Sequence, residues 1–307
     1  MTVIACASAL SPLTFSKFVP PIGRTIVVMG QDLGSIHDYV QHSTILPAGY
    51  AAYTSLPACE GLTSEIDQGG GRQHAGQIAS DHPHSILQLA IHVVNHLAEV
   101  SSGKLDSAID RIALFVKSLN RPVYVRFGYE FDYPENHYEP AEYVKAYRHF
   151  VNRMRQVGVS NASYVWHSFA QPSQTPIAEW FPGDEYVDWC AVSYFDQGSV
   201  QLEEVANFSK LHGKPLMIAE AAPWHSKPSE VWEKWFLPMF AYVERHDVQL
   251  ISYINCNWDS IPMFAHEKWG DSRLTSDLSL LAHWNTEICK PRFMNESSDL
   301  SKILSGG

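Results

Sequence analysis

Nowhere in its 307 residues does this chain hold an unbroken apolar run of about 18 residues, so no membrane-crossing helix is expected. Cysteine is sparse and scattered: Cys6, Cys59, Cys190, Cys256 and Cys289 never form a CxxC pair. An odd, dispersed set predicts reduced thiols rather than a disulfide framework. No phosphate-cradling loop is present. Gly30-Gln-Asp-Leu-Gly34 lacks the GxGxxG spacing, and Gly69-Gly-Gly-Arg72 lacks GK[ST]. Positive charge is also scarce, with 22 Lys and Arg against 33 Asp and Glu, which argues against nucleic acid as a partner. Met1 to Phe15 lacks a basic start and a full apolar core, so it reads as a poor signal peptide. The compartment stays open, either cytoplasmic or secreted with a leader removed. Oligomeric state is likewise not set by the sequence.

What the chain does have is alternation. Short apolar runs at Thr25–Met29, Pro47–Tyr53, Ser85–His92, Arg121–Asp132, Ala162–Ser168, Val187–Tyr194, Leu216–Glu220 and Leu250–Asn255 read as eight strands. Helical stretches fall between them. The clearest are Asp106 to Leu119, with Asp106 as cap, and Glu139 to Val157, closed by Gly158. Others are expected at Ser35–Val40, from Arg72, from Val93, at Val200–His212, at Glu230–His246 with a kink at Pro238, and at Ser276–Ile288. Strand–helix alternation over about 250 residues predicts an α/β fold, a single-domain (β/α)8 TIM barrel. Its expected bounds are 25–290, after an N-terminal extension of 1–24 and before a polar, loose C-terminal tail of 291–307. An open doubly wound sheet is the structural rival.

In such barrels chemistry sits at the C-terminal strand ends. The segment Arg121 to Asp132 points Val123, Val125 and Phe127 one way and Tyr124, Arg126, Gly128 and Glu130 the other. An arginine and a carboxylate inside a barrel are costly unless paired or used. Glu220, closing Lys-Pro-Leu-Met-Ile-Ala-Glu on the face of Leu216 and Ile218, is the candidate second carboxylate. Two converging carboxylates suit glycoside hydrolysis, one as ionised nucleophile and one as proton donor. Asp32, Trp166, His167, Tyr194 and Trp258 end other strands and are candidate carbohydrate contacts, as are Arg126 and Tyr129. For each there is a plainer alternative: an ion pair, a satisfied core histidine, or a packed aromatic.

Arg126-Phe-Gly-Tyr-Glu130 resembles the Arg-x-x-His-Glu segment of glycoside hydrolase family 26, the β-mannanase-type family of the clan of retaining (β/α)8 hydrolases. Trp180-Phe-Pro-Gly-Asp-Glu-Tyr-Val-Asp-Trp189 resembles the family's Trp-Tyr-Pro-Gly-Asp-x-Tyr-Val-Asp segment before strand six. The resemblance runs from about Pro122 to Asp259. It implies Glu130 as acid/base, Glu220 as nucleophile, Tyr194 beside the nucleophile, Trp258 at strand eight, and no metal or cofactor. The chain departs from the pattern at Tyr129, where the family has histidine. That neighbour touches substrate, so mannan specificity is not carried over, and neither the sugar and linkage nor endo or exo action follows.

Two other classes compete. His82-Pro-His84 has the His-x-His spacing of metal-dependent hydrolases, but it precedes strand three rather than ending strand one, and HExxH is absent. A degenerate barrel that binds glycans without cutting them is the non-enzyme alternative; the presence of both glutamates argues against it.

Overall fold

The computed structural model describes residues 16–67, 69–195, 199–225 and 228–306. Met1 to Phe15, Cys6 included, lie outside the described residues. Eight parallel strands run in sequence order: β1 (Thr25–Gly30), β2 (Gly49–Ser55), β3 (Ile86–His92), β4 (Val123–Phe127), β5 (Ala162–Ser168), β6 (Trp189–Tyr194), β7 (Leu216–Ala221) and β8 (Leu250–Ile254). The last pairs with the first, Ile26 opposite Leu250 through Gly30 opposite Ile254, which closes the barrel. Closure removes both sheet edges.

The period-2 pattern sets the two faces. On β4, Val123, Val125 and Phe127 join the outer core beneath the helices, while Tyr124 packs in the barrel lumen with Ile26, Val165, Trp189 and Met217. The outer core is covered by helices whose apolar stripes recur every three to four residues. On the helix Pro140–Gln156, Tyr143, Ala146, Tyr147, Phe150, Val151 and Met154 are all fully buried. Each large apolar side chain so placed contributes about 1.5–3 kcal/mol.

Several local expectations are corrected. Arg72–Gln73 is extended and pairs antiparallel with Ile66–Asp67; the helix there starts only at Ala75, because His74 caps it by accepting from the Gln77 amide. The helix expected from Val93 is one short turn, Leu97–Ser101. The helix at Asp106 is capped at Leu105, and the Asp106 carboxylate instead meets His149 Nε2 at 2.7 Å. Pro238 does not simply kink its helix. A π-helical turn, Trp232–Phe236, precedes it and widens the backbone where the proline ring would crowd the preceding turn.

The C-terminal tail is not loose. Phe293–Met294 pairs parallel with Thr25–Ile26, and Leu300 and Leu304 are buried against the barrel interior. At the same end, Tyr124 Oη donates to the Phe18 carbonyl and Trp189 Nε1 to the Lys17 carbonyl. Residues on both sides of the barrel in sequence therefore stopper its N-terminal end, the face these folds use for stability.

Candidate active site

Arg126 is fully buried in the lumen of β4. Glu130 lies beyond the strand, after a tight reversal in which Gly128 (φ +52°) and Glu130 (φ +53°) both take left-handed backbone. A side chain at position 128 would also meet Tyr143 Cε2 at 3.1 Å and Val93 Cγ1 at 3.2 Å, so glycine is required there twice over. A left-handed glutamate costs on the order of 1 kcal/mol and persists only where neighbours over-determine it. Here they do. The Gly128 amide donates to the Ile91 carbonyl and the Phe131 amide to that of His167. Asn136 Nδ2 donates to the Glu130 carbonyl at 2.8 Å and the Tyr129 carbonyl at 3.3 Å.

Glu220 reaches the site by a different device. Simple alternation put it on the face of Leu216 and Ile218, but those two belong to the outer core, whereas Met217 and Ala219 face the lumen. Between β6 and β7, Val192 stands opposite Ile218 and Ser193 opposite Glu220, so β7 carries one extra residue. This β-bulge turns the Glu220 carboxylate inward, a known use of bulges beside functional sites.

The two carboxylates are joined through side chains. Arg126 Nη1 donates to Glu220 Oε1 at 2.6 Å and lies 3.1 Å from His167 Nδ1. His167 Nε2 is 3.0 Å from Ser193 Oγ, and Ser193 Oγ donates to Glu130 Oε1 at 2.5 Å. Tyr53, from β2, donates its hydroxyl to the same Oε1 of Glu220 at 2.7 Å. The Arg126 guanidinium carbon sits 5.4 Å from the Tyr53 ring centre and 5.3 Å from that of Tyr129. This cation–π placement helps hold a buried cation that has few acceptors.

The surroundings of the two acids differ. Burial, then the negative charge of Glu220, hold the Glu130 carboxyl well above the ordinary carboxylate range, against the Ser193 hydrogen bond and the Arg126 charge. Glu220 instead accepts from a guanidinium and a phenol on one oxygen. Burial beside Arg126 pushes the His167 imidazole well below its usual range, so it is neutral. A carboxyl raised by burial beside one that accepts from a cation and a phenol is an unequal pair of the kind that carboxylate-pair hydrolysis uses.

Of the residues singled out in the sequence, Glu130, Glu220, Arg126, Tyr129 and His167 come together. Four do not join them. Asp32 caps α1 (Leu33–His42), accepting from the Gly34 and Ser35 amides and the Ser35 hydroxyl. Trp166 is fully buried on the outer face of β5, stacked on Phe131 with centroids 4.6 Å apart. Tyr194 also points outward, against Trp235 and Tyr242. Trp258 is buried, its Nε1 bonded to Ser272 Oγ, beneath Trp269 at 4.8 Å. The aromatic surface left at that rim belongs to Trp269 and the exposed Trp224.

Sequence reading missed Tyr53 and Ser193. In both cases the signal was the alternation itself. Ala51 lies in the lumen, so Tyr53 follows it, and Ala191 places Ser193 inward and Tyr194 outward. No group of three or more His, Cys, Asp or Glu among the described residues is arranged to hold a metal ion. His82 stacks on Tyr50 ahead of β3, at the end of the barrel away from the glutamates.

Comparison with known proteins settles the family. A model of glycosyl hydrolase family 26 matches residues 82–229. The chain is 31% identical to a beta-1,3-xylanase of Alcaligenes sp, across 97% of this chain and 70% of that protein. The chain belongs to glycosyl hydrolase family 26. This family 26 enzyme is also 30% identical to beta-1,3-xylanase TXYA of Vibrio sp, over 100% of its own length and 73% of the relative's. Its fold matches a family 26 beta-mannanase from Bacteroides ovatus with a TM-score of 0.68 at 15% identity, covering 91% of this chain and 93% of that one. A modular endo-beta-1,4-mannanase from Cellulomonas fimi gives a TM-score of 0.64 at 16% identity, covering 93% and 78%. The enzyme is a glycoside hydrolase, and its substrate is carbohydrate.

Proposed function

We propose that this enzyme cleaves β-glycosidic bonds of a polysaccharide with retention of configuration, Glu220 acting as nucleophile and Glu130 as acid and then base. The observation that carries this is the unequal treatment of the two carboxyls. Glu220 Oε1 accepts from Arg126 and Tyr53, the surroundings of a nucleophile rather than of a proton donor. Burial and the Glu220 charge raise the Glu130 carboxyl well above the ordinary carboxylate range, which suits a proton donor. In the first step, Glu220 Oε2 attacks the anomeric carbon while Glu130 protonates the departing glycosidic oxygen. In the second, Glu130 takes a proton from water as the water oxygen displaces Glu220. No step calls for a metal or cofactor.

The substrate we propose is a β-1,3-linked xylan, from the two relatives about 30% identical over nearly the whole chain. The mannanase structures, far less similar in sequence, bear on the fold alone. Tyr129 in place of the family's histidine is consistent with a sugar other than mannose beside the acid/base. We place the catalytic unit at 25–290, with the flanking described segments closing its base. Initial rates on β-1,3-xylan, β-1,4-xylan, β-mannan and β-1,3-glucan test the assignment. Preference for the first supports it. Preference for mannan overturns the sugar, and binding without turnover on every polymer overturns the activity.

A further inference from the structure

We propose that Ser193 and His167 are positioning residues that confine the transferable proton to Oε2 of Glu130, by keeping Oε1 permanently a hydrogen-bond acceptor. The inference rests on the roles proposed for the two glutamates and goes beyond them.

Arginine can only donate. His167 Nδ1, 3.1 Å from Arg126 Nη1, must therefore be the acceptor and carry no proton. A neutral imidazole then has its proton on Nε2, which points at Ser193 Oγ at 3.0 Å. Ser193 receives that proton and has one of its own, which goes to Glu130 Oε1 at 2.5 Å. The reverse arrangement fails. If Glu130 donated from Oε1, Ser193 would turn its proton onto Nε2, and the imidazole would present Nδ1–H to an arginine N–H inside a fully buried site. Every member of the chain, from Arg126 to Glu130, is thus fixed in direction by the one group that cannot reverse.

The consequence falls on chemistry. Oε2 of Glu130 has no hydrogen-bond partner among the described residues and is the oxygen left for the substrate. In glycosylation its proton passes to the leaving oxygen as the C1–O bond breaks and the C1–O bond to Glu220 forms. In deglycosylation Oε2 takes a proton from the attacking water, whose oxygen bonds C1 as the Glu220 ester breaks. Ser193 and His167 hold their protons throughout. The other end of the same chain, Arg126 Nη1, rests on Glu220 Oε1, so Glu220 too is left its Oε2 for bond formation. The charged and titratable groups around Glu130 are Arg126 and Tyr129 on its own strand and turn, Asp132 and Tyr133 just after it, His167 on β5, and Glu220 on β7. Of these only His167 reaches Glu130 through a hydroxyl that can be deleted alone.

The test is the pH dependence of kcat/KM on β-1,3-xylan for wild type, Ser193→Ala and Ser193→Thr. Without the hydroxyl, the ionised form of Glu130 loses a donor. The alkaline limb should move up by about half a pH unit or more, while Ser193→Thr returns it toward wild type. An alkaline limb unmoved in Ser193→Ala overturns the proposal. Glu130→Gln, measured beside them, separates the two levels. Full activity in that variant rejects Glu130 as the acid and the proposed function with it. Loss of activity there, with an unmoved limb in Ser193→Ala, rejects only the present inference. A measurement on unaltered enzyme decides even if Ser193→Ala fails to fold. Nitrogen-15 NMR of labelled histidine should find His167 as the neutral Nε2–H tautomer across the active pH range. An Nδ1–H tautomer or an imidazolium contradicts it.

Discussion

Tyr53 Oη and Glu220 Oε1 are 2.7 Å apart, and the tyrosine shares with Arg126 this single carboxylate oxygen, the other having no hydrogen-bond partner among the described residues. A phenol donating to a carboxylate stabilises it by about 1.5–3 kcal/mol, and each 1.4 kcal/mol is tenfold in rate. In the proposed double displacement the charge on Glu220 disperses as its bond to C1 forms and the ester must then leave again, so the phenol would serve the leaving carboxylate. We expect Tyr53→Phe to slow breakdown of the glycosyl-enzyme and so to lower kcat on activated aryl β-xylosides by about 10–100-fold, with little change in thermal stability. A change below about twofold would place Tyr53 outside the catalytic machinery.

Glu130→Ala and Glu220→Ala should fail differently. Loss of Glu220 removes the bond-forming atom, so all substrates stop. Loss of Glu130 removes protonation, worth about 10²–10⁴-fold, and the defect should shrink as the leaving group becomes a better one. Rates on a series of aryl glycosides of falling phenol pKa check this. An equal loss across the series for Glu130→Ala would contradict its role as acid.

The pH dependence of stability carries a sign. The folded protein holds the Glu130 proton more tightly than the unfolded chain does. Between the ordinary glutamate value and the raised folded one, the folded state therefore binds more protons, and stability falls as pH rises through that window. Glu130→Gln should remove this penalty. Its melting temperature should match wild type at acid pH, below the ordinary carboxylate range, and exceed it at neutral pH. A variant less stable than wild type at neutral pH would show that the protonation of Glu130 is not held by burial.

Arg126 and Trp166 give the structural counterpart. Arg126 is fully buried against Glu220, so Arg126→Leu strands a carboxylate and should cost about 3–5 kcal/mol along with activity. Trp166→Ala opens a core cavity and should also cost about 3–5 kcal/mol. Because Trp166 faces the helices, Trp166→Phe should lower the melting temperature while leaving KM within about twofold, as scored by denaturation and initial rates. A large rise in KM would restore it as a carbohydrate contact.

How much was legible in the chain follows from the range of the signals. The barrel and the face of β4 were, because alternation and apolar periodicity are local: Val123, Val125 and Phe127 go out and Arg126 goes in, as their spacing requires. The family segments around Arg126 and Trp180 were legible for the same reason. Glu220 was found, but for a wrong structural reason, since the bulge that aims it inward depends on how β6 and β7 pair. Tyr194 is expected at the site as the last residue of its strand, yet Ser193 is the side chain that reaches it. A one-residue slip in a period of two reverses every side chain, and only Ala191 and Trp189 in the lumen fix the phase. Trp166 and Trp258 illustrate the remaining limit: a strand-end tryptophan is equally good as platform or plug, and the packing partners that decide, Phe131 and Ser272, are remote in sequence or bound through the turn. The seating of residues 291–306 was hidden in the same way, since few apolar side chains carry it.

The central claim, that Glu220 forms a covalent bond to the sugar, is tested most directly by trapping. Incubation with a 2-deoxy-2-fluoro β-xylobiosyl fluoride slows release of the intermediate, and peptide mass mapping then locates the label. The account predicts one fluorosugar per chain on the peptide carrying Glu220. Label on another carboxylate, or an inverted free sugar with no label, would contradict it.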